Sequence, residues 1–118
     1  MSFNIIHTDT TSAARIGILK TKSGIIETPF FMPVATKATA KFIPSKKLEE
    51  LGTRAIISNA FILSLRPGSE LIQKLGGIKK FMNFGGINFT DSGGFQMYSD
   101  SLYLKSDDHG VYFRNPIS

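Results

Sequence analysis

The chain has no cysteine among its 118 residues, which excludes disulfides and thiolate metal sites and permits a reducing compartment. It has only two histidines, His7 and His109, without ligand spacing between them, so no metal site is expected on this chain. No positively charged start leads into an apolar h-region, and no apolar run approaches the roughly 20 residues that span a bilayer. Secretion and membrane insertion have no support, and a cytoplasmic protein with no membrane partner is expected. Asn88-Phe89-Thr90 therefore matches a glycosylation sequon only formally. Also missing is any repeat, linker or low-complexity segment that would mark a second domain.

What is present fits one folding unit, or a piece of one. Hydrophobic residues make up 42% of the chain, as in a globular protein. Fourteen Lys and Arg stand against 9 Asp and Glu, a formal charge of +5 and a pI near 9.6, which suits a nucleic-acid partner. Only Lys46-Lys47 and Lys79-Lys80 are adjacent, however, and scattered cations equally describe an ordinary solvated surface.

Residues 3–7, 15–20 and 24–28 read as strands, the last two joined by the turn Thr21-Lys22-Ser23-Gly24. Pro29 and Pro33 bracket Phe30-Phe31-Met32, and with Val34 this stretch reads as the first strand of a main sheet, buried on both faces. The loop Thr36-Lys37-Ala38-Thr39-Ala40-Lys41 offers two cations to an anionic ligand. Ser45 is placed to cap a helix through Leu51, with Leu48 and Leu51 on its apolar side and Gly52 after its end. A second strand over residues 53–58, ending at Asn59, completes a βαβ spacing that favours parallel pairing. Ser69 is placed to cap a further helix with Leu71, Ile72 and Leu75 on one face, and the cluster of Phe81, Met82 and Phe84 reads as core. Residues 102–104 and 111–113 flank a hairpin turn. Three parallel strands would leave an open sheet edge, as at the beginning of a larger α/β domain.

The pivotal stretch is Ile87-Asn88-Phe89-Thr90-Asp91-Ser92-Gly93-Gly94-Phe95-Gln96. Ile87 and Phe89 alternate with polar neighbours as in a strand, which sets Asp91 at its C-terminal tip, where parallel α/β folds gather their chemistry. The plainer interpretation of Asp-Ser-Gly-Gly is a turn bonded to its own backbone.

That stretch does not stand alone. Ala14-Arg15-Ile16-Gly17, Phe31-Met32-Pro33-Val34-Ala35-Thr36-Lys37-Ala38-Thr39-Ala40-Lys41, Ile56-Ile57-Ser58-Asn59-Ala60-Phe61-Ile62-Leu63, Leu65-Arg66-Pro67-Gly68, Thr90-Asp91-Ser92-Gly93-Gly94-Phe95-Gln96 and Gly110-Val111-Tyr112-Phe113-Arg114 follow one another in the order and spacing of a known family. Over nearly its whole length the chain resembles the N-terminal portion of the tRNA-guanine transglycosylases, the queuine or archaeosine tRNA-ribosyltransferases. The resemblance displaces the turn interpretation of Asp91. It implies an α/β protein, the N-terminal part of a TIM (β/α)8 barrel with an antiparallel β cap, the barrel being incomplete in this chain. Residues 1–28 would be the cap, 29–100 the first three β/α units and 101–118 a β-hairpin insertion of a single partial domain.

The activity so implied is a pentosyl transfer: a guanine in tRNA is exchanged for a 7-deazaguanine base through a covalent enzyme-RNA intermediate, as in queuosine or archaeosine formation. By position, Asp91 resembles the aspartate that hydrogen-bonds the purine and does general acid/base work. Phe95 resembles the aromatic that stacks on the base, Asn59 the asparagine that orients the aspartate, and Val34 and Ile57 the apolar wall beside the ribose; Ser92 would lie beside the base. Ser58, Ala60-Phe61-Ile62 and Phe95 depart from the common bacterial pattern and lean toward an archaeal or otherwise divergent branch. The family's nucleophilic aspartate, further base-reading residues and structural zinc site belong to a portion beyond Ser118. The chain is thus expected to hold no cofactor and to be inactive alone, as a fragment or as a split half that works with a complementary C-terminal half or a homologous subunit. The other class of function is a non-catalytic subunit or relic that binds tRNA or a partner barrel.

Overall fold

The computed structural model of the chain describes residues 1–92, 94 and 102–115. Its N-terminal strands form where the sequence predicts them: β1 (Ser2–Thr8), β2 (Arg15–Thr21) and β3 (Gly24–Thr28) make an antiparallel sheet in that order. Short polar side chains close its two turns. The Thr21 hydroxyl donates to the Gly24 carbonyl at 3.0 Å and accepts from the Ser23 N–H at 3.1 Å. At the other turn the hydroxyls of Ser12 and Thr11 donate to Asp9 Oδ2 at 2.6 and 2.8 Å. Those bonds, Ser12 first, favour the ionised form and hold the Asp9 carboxyl below its ordinary range.

The second unit is a parallel pair, β4 (Ala55–Asn59) and β5 (Ile87–Asp91), in register from Ala55 opposite Ile87 to Asn59 opposite Asp91. Residues 33–36 run along the other edge of β4. There the Ile57 N–H donates to the Pro33 carbonyl at 3.1 Å, the Ala35 N–H to the Ile57 carbonyl at 2.7 Å, and the Asn59 N–H to the Thr36 carbonyl at 3.3 Å. The pairing is narrower than a full strand over residues 29–34, with only Val34 bridged to Ile57. Nor is the segment buried on both faces: Phe31 is 82% exposed and Val34 67%. Pro29 and Pro33 bring no N–H to a ladder, and no strand flanks the outer side of this segment among the described residues.

Helix α1 (Ser45–Glu50) precedes β4. Between β4 and β5 come α2 (Ala60–Leu63), a kinked turn over Ser64–Gly68, α3 (Ser69–Lys74) and α4 (Ile78–Met82). Ser45 and Ser69 are not caps. Pro44 and Gly68 occupy the N-cap positions, and each serine is already the first helical residue. The cause is backbone: Pro44 brings the chain in extended, and Gly68 has φ +103°, a conformation that a side chain resists. Gly52 does end α1 as its spacing predicts. Its N–H reaches the Glu49 carbonyl and that of Thr53 the Leu48 carbonyl, both at 2.9 Å, the paired bonds of a Schellman motif.

Strand alternation divides the β4–β5 sheet into two faces. On one, Ile56 packs with Ala35, Ala38, Leu48, Leu63, Met82 and Phe84, so the Met and aromatic cluster is core, as its composition predicts. On the other, Ala55 and Ile87 meet Ile26 of the antiparallel sheet, flanked by Leu19, Phe30, Met32 and Phe89. Leu51, Leu71 and Leu75, which helical periodicity assigns to apolar faces, are largely exposed; only Ile72 of α3 reaches the core. The hairpin β6 (Tyr103–Asp107) and β7 (Gly110–Phe113) forms as expected, its turn held by the His109 N–H on Asp107 Oδ1 at 3.0 Å. The whole is an α/β arrangement of small sheets without a closed barrel among the described residues. Among those residues, too, no helix is long and apolar enough to cross a membrane.

Where β5 enters beside β4 the backbones nearly touch. A Cβ on Gly86 would stand 2.5 Å from the Arg54 carbonyl oxygen and 2.6 Å from the Phe84 ring. Gly86→Ala is expected to destabilise the chain by about 1–3 kcal/mol through overpacking, seen as a lower urea midpoint. An unchanged midpoint would show that the entry to β5 is looser than this.

Candidate functional site

Asn59 and Asp91 are the last residues of β4 and β5, and they are register partners. Two residues down the same face, Ile57 pairs with Phe89, and Val34 bridges to Ile57 from the other side. Alternation thus gathers Val34, Ile57, Asn59, Phe89 and Asp91 on one face at the C-terminal ends of three parallel segments. The Phe30 ring stacks on Phe89 with centroids 6.2 Å apart, making an apolar floor below Asp91. On the opposite face the Ser58 hydroxyl donates to Asn88 Oδ1 at 2.8 Å and ties the two strands together just beneath their tips.

Asn59 is buried, and its Oδ1 accepts the Ile62 N–H at 2.8 Å as the N-cap of α2. Neither this helix nor its cap was expected from the sequence, although an Asn before the apolar run Ala60-Phe61-Ile62-Leu63 is the signal that marks one. The bond also fixes which end of the amide is which. With Oδ1 committed to the helix, Nδ2 is the end able to donate to a carboxylate.

Asp91 and Ser92 are exposed. Val34 and Ile57 are brought together as an apolar wall, the first largely exposed and the second half-buried. Phe95 lies outside the described residues. In the loop after Val34, the Lys41 ammonium sits 5.0 Å from the ring centroid of the exposed Phe42, and Lys37 is exposed as well. The residues present do not fit a zinc site, since the chain has no cysteine and no group of three His, Cys, Asp or Glu that could hold a metal ion occurs among the described residues.

A further contact was not legible in the sequence. The Phe113 ring of β7 lies 5.7 Å from that of Phe61 in α2, which pins the hairpin beside the strand tips. The assembled arrangement is an exposed carboxylate beside an apolar surface. Such a group accepts an N–H when ionised and donates when protonated, while flat apolar surface below suits a ring.

Comparison with known proteins bears on what that arrangement serves. The family model described as queuine tRNA-ribosyltransferase matches residues 9–118. A queuine tRNA-ribosyltransferase of Thermoanaerobacter sp. (strain X514) is 46% identical over 117 residues, covering 99% of this chain and 31% of the relative. That of Symbiobacterium thermophilum is 47% identical over 115 residues, 98% of this chain and 29% of its own. That of Lysinibacillus sphaericus is 43% identical over 116 residues, 98% of this chain and 30% of its own. The chain spans just under a third of the length of these curated relatives. With its residues 9–118 matched throughout, the chain belongs to the queuine tRNA-ribosyltransferase family, as an N-terminal portion of the proteins that it resembles.

Proposed function

We propose that the chain supplies the proton-handling part of a tRNA base-exchange centre, in which guanine is replaced by a 7-deazaguanine base through a covalent enzyme-RNA intermediate. The observation that carries this is the register pairing of Asn59 with Asp91 above the apolar surface of Val34, Ile57 and Phe89. Asp91 is the general acid/base: ionised, it accepts a purine N–H, and protonated, it returns the proton to the departing base. Asn59 Nδ2 orients that carboxylate, Val34 and Ile57 flank the ribose, Ser92 lies beside the base, and Phe95 stacks on it. Residues 29–100 act as the first three units of a (β/α)8 barrel, residues 1–28 as its cap and residues 101–118 as an inserted hairpin, in a cytoplasmic protein. The attacking nucleophile, any structural zinc and the choice of deazaguanine come from residues outside this chain, in a complementary C-terminal half or homologous subunit.

The test is base exchange itself. These 118 residues alone should incorporate no labelled guanine into tRNA above a no-protein control. Joined to, or mixed with, the remaining two thirds or so of a relative, they should restore incorporation. Activity of the chain alone would overturn the division of labour, and a folded but inactive hybrid would favour a non-catalytic tRNA-binding role.

A further inference from the structure

The hairpin of β6 and β7 carries a surface that no step above uses. Register sets Lys105 directly opposite Tyr112, and the Lys105 ammonium lies 4.4 Å from the Tyr112 ring centroid. Arg114 is two residues beyond Tyr112, so alternation puts it on the same face, and its N–H on the Leu102 carbonyl at 2.7 Å continues the ladder that far. The opposite face holds Val111 and Phe113, the latter against Phe61. The hairpin is therefore anchored by one face near the Asp91 tip, while the other presents a cation, an aromatic ring and a second cation. Tyr112 is 41% exposed, far more than a structural aromatic needs.

We propose that the Lys105, Tyr112 and Arg114 face binds the RNA strand next to the exchanged nucleotide, with Tyr112 stacking on an unpaired base and the two cations holding its phosphates. This rests on the tRNA-exchange function proposed above. Interleaved cations and an aromatic plane are the elements that hold single-stranded nucleic acid without reading its sequence. The ion pair of Lys105 with Asp107, 3.5 Å long with both side chains substantially exposed, contributes little and is readily exchanged for a phosphate. Asp107 and Asp108 at the hairpin tip would repel the strand, so the RNA crosses the root of the hairpin, beside α2, and not its turn.

The experiment measures binding of a fluorescein-labelled, unmodified tRNA transcript to the full chain by anisotropy across a salt series, with far-UV circular dichroism on every variant. Lys105→Glu with Arg114→Glu should weaken binding at least tenfold and reduce the salt slope by roughly one for each phosphate no longer neutralised. Tyr112→Ala should weaken it by roughly 5- to 150-fold, the range for removing one stacked base, and Tyr112→Phe should restore it. Lys22→Glu, in the turn between β2 and β3, controls for net charge, and Lys105→Gln serves if the reversal perturbs folding. Hairpin variants no weaker than Lys22→Glu would overturn the proposal while leaving the exchange function standing. A folded wild-type chain with no affinity for the transcript would overturn the hairpin proposal too, while base exchange by the complemented chain decides the function above separately.

Discussion

Asp91→Asn, in the chain complemented with the remaining part of a relative, is expected to lower base exchange by about 10²- to 10⁴-fold, the usual contribution of a positioned acid/base group. The substitution keeps the shape of the side chain and its capacity to hydrogen-bond, but it removes the ability to carry a proton at the strand tip. Affinity for tRNA should change little, because contacts to phosphate and sugar supply most of the binding and Asp91 makes none of them in the proposed role. The loss should therefore appear in turnover and not in the dissociation constant. Near-normal turnover in a folded Asp91→Asn hybrid would restore the plainer interpretation of Asp-Ser-Gly-Gly as a turn.

Much of the scaffold behind that experiment is legible in the residues themselves. Alternation and turn chemistry locate β1, β2, β3, β5 and the final hairpin, and the strand, helix, strand spacing around Ser45 anticipates the parallel approach of the Val34 segment to β4. Asp91 stands at a strand tip, where the alternation of Ile87 and Phe89 sets it. The errors share a cause: local pattern tells which residues form one face of an element but not whether another element covers it. Leu71 and Leu75 have a helical period yet face solvent, and Phe31 and Val34 belong to an apolar run yet lie exposed, because covering depends on neighbours distant in the chain. Capping fails differently. Whether a serine caps or begins a helix is decided by the backbone of the preceding residue, and Pro44 and Gly68 decide it here. Asn59 shows the opposite case, since its capping of α2 is encoded by the local sequence, while its place opposite Asp91 comes only from strand register.

The largest expected loss of stability lies at Phe84, and it separates covered from uncovered apolar residues. Phe84 is 2% exposed and packs in one cluster with Leu48 of α1, Ile56 of β4, Leu63 of α2 and Met82 of α4. Ala35 and Ala38 of the loop after Val34 join the same cluster, so the ring braces the segments that carry Val34 and Asn59. Its approach is set by Asn83, whose left-handed φ of +50° ends α4 and turns the chain inward. Phe84→Ala removes most of a side chain that these elements cannot all close upon, and such truncations cost about 3–5 kcal/mol. Domains typically have only about 5–15 kcal/mol in total, so a large fraction of the stability should be lost. Leu75→Ala makes the comparison: Leu75 is 50% exposed, and its truncation should fall within about 0.5 kcal/mol. Urea unfolding of both variants, followed by circular dichroism, reads the difference directly. Equal midpoints would mean that Phe84 does not brace the core, and that the strand tips are held by the β4–β5 ladder and the Ser58 to Asn88 bond instead.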